Sequence, residues 1–361
     1  MNKNIFKKLD WITISIMLLI FSIGAVTLYS ATSSIPTNNQ FESQILKFAF
    51  GLFIILCVSH LNPILIKRLT PKIYLIVMLM LIAVPFFGKT IMGAKRWIDL
   101  YFIQIQPSEL VKVVVPAMLA YIVSKIGALD KLKKLMLALI FVIFPVLFVI
   151  NQPDLGTSIL IVATSSTVIF CSGLSVRFIF SSIFLSILSG FVVFKFFLKE
   201  YQINRIATLF NPESDPMGSG YHVIQSKIAV GSGGLFGKGI QEGTQSQLSF
   251  IPEQSTDFIF AVFLEEFGFL GFLVVMFLFA LLIFRLAYMT TKMQDTFSKL
   301  FSVSIIASIL IYCFVNMGMI VGILPVVGIP LPFFSYGGSS MLVTMFCIGL
   351  INNFYKNRKM Y

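Results

Sequence analysis

The sequence predicts an all-α polytopic membrane protein, and its composition, its apolar runs and its charge distribution each support that fold class. Of the 361 residues, 57% are hydrophobic and 12% are charged, and the mean hydropathy is +0.94. Soluble globular chains are roughly 45–50% apolar and about 25% charged. The composition therefore excludes an ordinary soluble enzyme, a disordered chain and a disulfide-rich secreted scaffold.

Ten apolar runs are candidates for membrane-spanning helices, since a span needs about 20 mostly apolar residues. The first run follows three lysines, as in a signal peptide, but it is too long for one, so we interpret it as a retained helix. With no internal repeat, one membrane domain over residues 1–361 is the simplest organisation. The predicted spans are residues 11–31, 44–61, 73–88, 108–126, 135–151, 157–173, 178–198, 258–284, 300–323 and 340–354.

The distribution of Lys and Arg predicts the orientation of the spans. The chain has 27 Lys and Arg residues against 15 Asp and Glu residues, which gives a net charge of +12. With the N-terminus in the cytoplasm, most basic residues fall in cytoplasmic segments, so the positive-inside rule places both termini there. The positive charge is therefore attributed to membrane topology and not to nucleic-acid binding.

Three segments on the predicted outer side are unusual. Residues 199–257 form the longest polar stretch before the eighth span, and a connection of that length is usually functional or disordered. Apolar residues interleaved along it argue against disorder. Residues 89–107 are predicted to include a short interfacial helix, and residues 325–340 are rich in Pro and Gly. The 89–107 segment carries three candidate site residues, Lys95, Arg96 and Trp97.

Charged residues open the fourth predicted span. Pro107 suits the first turn of a helix, and Glu109 and Lys112 are three residues apart, so they share one helix face. Charges at membrane depth are costly and therefore pair with one another or face a cavity. Two interpretations follow: a buried structural ion pair, or one polar wall of a substrate cavity.

Three other outer segments also allow a structural and a functional interpretation. Asp154 is placed to cap the sixth helix in a tight interhelical turn. The glycines of residues 231–239 permit tight turns or offer backbone N–H groups to a pyrophosphate, and they lack the Walker A pattern. Ser335 and Gly337 lie in residues 331–340, which form either a broken helix of the kind found at transporter sites or a structural re-entrant loop.

Asp257 stands where the long loop enters the eighth span, and Glu265 and Glu266 follow two turns later. Asp257 is either a helix cap or, with the two glutamates, part of a wet polar cavity in which one carboxylate acts as a general base. The residues alone support a transporter with an outward cavity or a membrane enzyme acting on a lipid-linked substrate. The absence of a repeat and the crowding of polar segments on one side favour the enzyme.

Four motifs in order resemble signatures of the shape, elongation, division and sporulation family, and the resemblance covers nearly the whole chain. Three stretches of the long loop are similar to the elongation branch of the family: residues 211–216, 221–227 and 243–248. Ser255 departs from the pattern, since relatives usually carry His there. The four motifs are residues 93–98 with 106–109, residues 152–157, residues 256–262 with 265–266, and residues 330–339.

The resemblance implies a peptidoglycan glycosyltransferase of the bacterial cytoplasmic membrane that acts in cell elongation. The acceptor 4-hydroxyl would attack the anomeric carbon of a donor chain on lipid II, form a β-1,4 linkage and release undecaprenyl pyrophosphate. By the same resemblance Asp257 activates the acceptor hydroxyl. A pyrophosphate leaving group requires positive charge. Candidates are Arg205, Lys227, Lys95, Arg96 and a divalent cation such as Mg²⁺ or Mn²⁺, with no organic cofactor.

The resemblance also implies partners, namely a class B penicillin-binding protein with transpeptidase activity and other elongation-complex proteins. Two alternatives remain open, because fold-level similarity alone does not establish function. A lipid II flippase needs inward as well as outward access and no single catalytic carboxylate. A non-catalytic scaffold of the cell-wall machinery tolerates replacement of Asp257.

Overall fold

The computed structural model describes residues 9–33, 39–91, 94–99, 104–174, 180–181, 200–215 and 218–358. The helices of these segments are α1 (Trp11–Thr32), α2 (Gln40–Ser59), α3 (Pro63–Phe87), α4 (Pro107–Ile126), α5 (Leu132–Asn151), α6 (Leu155–Cys171), α7 (Glu200–Phe210), α8 (Ser219–Gly233), α9 (Thr244–Gln247), α10 (Ile259–Thr291), α11 (Thr296–Ile320) and α12 (Gly338–Lys356).

The predicted all-α polytopic architecture is confirmed. Within the described segments, α1, α2, α3, α5, α10 and α11 are long and apolar enough to cross a membrane, and α6 is a shorter apolar helix. The helices α4 and α12 coincide with the fourth and tenth predicted spans. The seventh predicted span, residues 178–198, lies almost entirely outside the described residues.

Helix α3 begins at Pro63, well before the predicted start at residue 73. The Asn62 side chain caps it by accepting a hydrogen bond from the Ile64 N–H at 2.9 Å, and Pro63 suits the first helical position. Hydropathy alone places the start too late, because the first turns of the helix carry Lys67, Arg68 and Lys72.

The interfacial helix predicted within residues 89–107 is wrong. The segment forms an antiparallel sheet in the order β1–β2–β3, and Trp97 pairs with Lys89 across it. Thr, Ile and Trp are residues that favour strands, and a hairpin satisfies their backbone groups without a helix. Lys95 and Trp97 both lie on the central strand, where Lys95 is exposed and Trp97 partly buried. The strands are β1 (Lys89–Ile91), β2 (Ala94–Asp99) and β3 (Gln104–Ile105).

Helix α4 packs against α3, α6 and α11, while α1 and α8 pack on α10, and α2 packs on α12. Aromatic rings join the start of α10 to the segment before α12. Phe334 meets Phe260 and Phe263 edge-on, with ring centroids 5.7 and 5.2 Å apart, and all three rings are buried. Edge-to-face pairs of this kind add to the energy of burial, so the two segments are held together.

Helix α10 is broken at Gly268, whose φ of 63° and ψ of −160° are not helical. Part of the long outer loop occupies the break. The N–H groups of Lys238 and Gly239 donate to the carbonyls of Glu265 and Glu266, each at 3.0 Å. Backbone groups freed by a break need partners, and here the loop provides them, so it is docked on the outer half of α10.

Candidate active site

Asp257 lies in a turn just before α10 and is not a helix cap. By contrast, Asp10, Asp154 and Asp295 each cap a helix by accepting a backbone N–H hydrogen bond. Phe258 precedes the first turn of α10, and no side chain caps that turn. None of the described residues donates a hydrogen bond to the Asp257 carboxylate. The cap interpretation is therefore wrong, and the carboxylate is available for chemistry.

The surroundings of Asp257 favour its protonated form. Burial, reinforced by the negative charge of Glu253, raises the pKa of Asp257 from 3.8 to about 6, while the positive charge of Arg205 acts in the opposite direction. A general base works best when its pKa lies near the operating pH. The electrostatics at Asp257 therefore suit proton abstraction near neutral pH.

The walls around Asp257 come from α11 and from the segment between α11 and α12. The Asn316 side-chain amide donates to the Asp257 carbonyl at 3.0 Å and to the Ile329 carbonyl at 2.7 Å. Gly328, with a φ of 73°, lies so close that a β-carbon there would be 3.2 Å from Asp257 Oδ2. Segments far apart in the sequence therefore meet at this carboxylate.

Two of the predicted cationic residues lie against the segment that carries Gly328. Arg205, exposed on α7, donates from Nη1 to the Val326 carbonyl at 3.2 Å. The side chain of Lys227, exposed on α8, lies against the backbone at Gly322, whose φ is 73°. Arg205 therefore lies close enough to Asp257 for its positive charge to act on the carboxylate. Lys227 lies against the backbone of the same segment.

Arg96 and Asp154 connect the β-sheet with the turn between α5 and α6. The Arg96 guanidinium donates to the carbonyls of Gln152 and Pro153 at 3.0 and 2.6 Å. Its Nη1 also lies 4.0 Å from Asp154 Oδ2. The other Asp154 oxygen accepts the Thr157 N–H at 3.1 Å and caps α6, which confirms the tight-turn interpretation. The structure gives both side chains a role in the fold.

Glu109 and Lys112 form a buried network with Tyr312 of α11. Lys112 Nζ lies 2.6 Å from both Glu109 Oε1 and the Tyr312 hydroxyl. The adjoining cavity is small, with a volume of about 30 Å³. This geometry favours the structural ion pair over the wall of a substrate cavity.

Ser335 and Gly337 lie in a non-helical segment that is tied to α2 and to the turn at Asp257. The Gln44 side chain donates to the Ser335 carbonyl at 3.0 Å and accepts the Gly337 N–H at 3.4 Å. The neighbouring Tyr336 N–H donates to the Ser255 carbonyl at 2.9 Å. The segment is therefore hydrogen-bonded both to α2 and to the turn that carries Asp257.

The interpretation of Glu265 and Glu266 as the lining of a wet cavity is wrong. Both are fully buried, and Glu265 accepts hydrogen bonds from Lys238 Nζ at 2.8 Å and from the Gln245 and Ser246 N–H groups at 3.0 and 3.2 Å. A carboxylate at membrane depth requires polar partners, and the outer loop supplies them. The same loop uses the backbone N–H groups of its glycine-rich turn within the fold, which favours the tight-turn interpretation over a pyrophosphate cradle.

Sequence reasoning missed Asn316, Gly328, Glu253 and His222. Asn316 carried a usable signal, because it is an amide inside the predicted 300–323 span, where polar side chains are costly. The ring of His222 stacks on Phe258 at a centroid distance of 5.4 Å, and burial lowers the pKa of His222. Gly328 and His222 gave no comparable signal, since their roles depend on contacts across the fold, whereas Glu253 lies four residues before Asp257 on the same turn.

The fold and this site together define a polytopic membrane protein with a polar site on its predicted outer side, built around one carboxylate. Residues 8–360 match the family model described as cell cycle protein, the model of FtsW, RodA and SpoVE. The chain belongs to this family, which confirms the resemblance carried by the four motifs.

Similar proteins are known along nearly the whole chain. The chain is 42% identical over 352 residues to the peptidoglycan glycosyltransferase MrdB of Escherichia coli K12, covering 98% of this chain and 95% of that protein. It also matches a chain from a structure described as structural coordination of polymerization and crosslinking by a peptidoglycan synthase complex, with a TM-score of 0.84, 27% identity and coverage of 98% and 99%. The crystal structure of Thermus thermophilus rod shape determining protein RodA matches with a TM-score of 0.73, 26% identity and 97% of each chain covered.

Proposed function

We propose that this multi-pass protein of the bacterial cytoplasmic membrane is a peptidoglycan glycosyltransferase that polymerises lipid II at the outer face in cell elongation. The observation that carries the proposal is Asp257, a partly buried carboxylate without a described hydrogen-bond donor and with a pKa raised to about 6. Relatives that match nearly the whole chain carry the same activity in their names.

In the proposed reaction, Asp257 takes the proton of the 4-hydroxyl group of the acceptor sugar. The acceptor oxygen forms a bond to the anomeric carbon of the donor, and the bond from that carbon to the pyrophosphate oxygen breaks. Undecaprenyl pyrophosphate leaves with the electron pair, and the new linkage is β-1,4. Asp257 then releases its proton to water, which restores the base for the next addition.

Arg205 and Lys227 are the side chains best placed to stabilise the leaving pyrophosphate. Both are exposed on the outer loop, and both lie against the backbone between α11 and α12. Positive charge near a departing phosphate oxygen stabilises the transition state. Lys95 is a further exposed cation on the sheet, whereas Arg96 already donates to two backbone carbonyls.

A divalent cation such as Mg²⁺ or Mn²⁺ remains part of the proposal. Within the described part of the chain, no three His, Cys, Asp or Glu residues are grouped closely enough to hold a metal ion. Mg²⁺ often binds through substrate phosphates with only one or two carboxylates, so it would be carried by the pyrophosphate. No step of the reaction above is derived through the metal.

We also propose a class B penicillin-binding protein as the partner, together with other elongation-complex proteins. The support is the match to a chain whose structure is described in terms of polymerization and crosslinking by a synthase complex. Crosslinking is an acyl transfer, which the glycosyl transfer proposed here does not perform. A transpeptidase partner supplies that second reaction.

The test is a polymerisation assay with the protein and its penicillin-binding partner, lipid II and a divalent cation, with penicillin present to block crosslinking. We expect glycan strands from the wild type and none from a folded Asp257→Asn variant. Asp130→Asn is the matched control, because Asp130 is exposed and pairs with nearby Lys134 at 3.3 Å.

The outcomes separate the alternatives. Equal product from Asp257→Asn and wild type keeps the enzyme but removes Asp257 as the base. If the wild type makes no product in an assembled, folded complex, the result favours a lipid II flippase or a scaffold. A flippase is then recognised by transport of lipid II across vesicles without polymerisation.

A further inference from the structure

We infer that Asn316 is a positioning residue for Asp257, whose side-chain amide holds the backbone of the base and the opposite wall of the site in one geometry. This inference rests on the proposed function of Asp257. It concerns a residue of α11 that does not touch the carboxylate itself, and it acts through two backbone carbonyls.

Both N–H donors of the Asn316 side-chain amide are used in hydrogen bonds to backbone carbonyls. A side-chain amide has two N–H donors, and here they bind the Asp257 carbonyl at 3.0 Å and the Ile329 carbonyl at 2.7 Å. The side chain is 0% exposed, and its Oδ1 is buried without a described partner. Turning the amide over loses both hydrogen bonds, so only one orientation is stable.

The second carbonyl matters because of its neighbours. Ile329 follows Gly328, the residue that lies against Asp257 Oδ2, and the same segment contains Val326, whose carbonyl holds Arg205. The Asn316 amide therefore sets the separation between the base and the backbone wall that buries it. The guanidinium of Arg205 is attached to the same wall.

Among the residues that the structure describes, the charged groups that act on Asp257 are Glu253 on its own turn and Arg205 on α7. On α8, the imidazole of His222 packs on the adjacent Phe258. Loss of the Asn316 amide would release the wall, admit water to the carboxylate and reduce the effect of burial. Asp257 would then be displaced, and its pKa would lie closer to its ordinary value.

A second asparagine provides a matched control. Asn353 on α12 is also 0% exposed and donates from Nδ2 to two backbone carbonyls, those of Val58 and Leu61, at 2.8 and 2.7 Å. These contacts join α12 to the end of α2, near the predicted cytoplasmic side. Asn316→Ala and Asn353→Ala therefore remove the same groups, but only the first change is at the site.

The experiment measures polymerisation of lipid II between pH 5 and 9 by wild type, Asn316→Ala, Asn353→Ala and Asp257→Asn, each in complex with the penicillin-binding partner. We expect Asn316→Ala to lower kcat by about 10- to 100-fold with a smaller change in KM, because small displacements of a catalytic group cost that much. We also expect the acidic limb of its rate profile to move to lower pH. Asn353→Ala should keep the wild-type limb and most of kcat.

Equal losses in the two asparagine variants, with the same acidic limb as wild type, overturn the inference. If Asn316→Ala does not fold while Asn353→Ala does, Asn316→Ser, which keeps one donor, is measured with the same two outcomes. Wild-type activity in Asp257→Asn shows that the proposed base itself is wrong. If Asp257→Asn is inactive while the two asparagine variants show equal losses and the wild-type acidic limb, only the inference about Asn316 is overturned, and the proposed function stands.

Discussion

Gly328 lies directly against the carboxylate of Asp257. A β-carbon at residue 328 would be 3.2 Å from Asp257 Oδ2, and the φ of Gly328 is 73°, in the left-handed region. Glycine adopts that conformation without strain, whereas a side chain would be strained and would also crowd the carboxylate. This close backbone approach contributes to the partial burial of Asp257.

We therefore expect Gly328→Ala to reduce polymerisation at least about 10-fold, because the added methyl group displaces the carboxylate. Its positive φ adds about 1–3 kcal/mol of strain. Gly231→Ala is the matched control, since a β-carbon at Gly231 in α8 meets nothing within 4 Å. That variant should keep wild-type activity. Wild-type turnover in a folded Gly328→Ala variant would show that the contact has no role.

The rate of glycan formation should increase as the pH rises through about 6, the pKa of Asp257, and then level off. The base acts only when it is deprotonated, so the acidic limb reports its titration in the free enzyme. A rate measured at saturating partner and limiting lipid II tests this point. A flat profile between pH 5 and 7 would contradict the assignment of Asp257 as the base.

The stability of the folded protein should fall as the pH rises through the range in which the rate increases. The pKa of Asp257 is higher in the folded protein than its ordinary value of 3.8, so the contribution of this group is complete below about 3.8 and is lost as the pH rises through about 6. Asp257→Asn should therefore raise the thermal midpoint relative to wild type at pH 8 but not at pH 4. Equal midpoint differences at the two pH values would argue against burial of the charge.

Two neighbours of Asp257 should move the acidic limb in opposite directions. Arg205 lowers the pKa of Asp257 and Glu253 raises it. Arg205→Ala should therefore shift the limb to higher pH, and Glu253→Gln should shift it to lower pH. Lys133→Ala, a change at an exposed residue on the predicted cytoplasmic side, should leave the limb unchanged. Shifts of the same sign in the two site variants would contradict this electrostatic account.

The docking of the outer loop should depend more on Glu265 than on Lys238. Glu265→Ala removes the acceptor of Lys238 Nζ and of the Gln245 and Ser246 N–H groups, and each buried donor left unsatisfied costs about 1–3 kcal/mol. Lys238→Ala should cost less, because the backbone donors still bind the carboxylate. Thermal unfolding in detergent and limited proteolysis within residues 234–250 measure both effects.

Lys134→Ala serves as the control for the loop variants. Lys134 forms an exposed ion pair with Asp130, and such pairs contribute less than about 1 kcal/mol. Its unfolding temperature and its cleavage pattern should match those of the wild type. Unchanged protease resistance in Glu265→Ala would show that the loop is held by its other contacts.

The sequence predicted the helices best where the membrane imposes a single solution. Backbone groups in hydrocarbon must be paired within the segment, so apolar runs of about 20 residues become helices whatever surrounds them. Helices α1 and α10 follow directly from that rule. Residues 89–107 are predicted to lie at the edge of the bilayer, where hairpins and helices both satisfy the backbone, and there the prediction of a helix was wrong.

By itself, the sequence determined the fold class and predicted the orientation of the spans and a role for Asp257, because apolar length, basic residues and motif order are properties of the chain alone. Only the tertiary structure distinguished Asp257 from Asp154, two aspartates that both precede a helix. Asp154 accepts the N–H of Thr157, whereas Asp257 is held by Asn316 and enclosed by Gly328. The physical reason is that the contacts of Asp257 with Asn316 and Gly328 join groups distant in sequence, and local pattern carries no information about which of them meet.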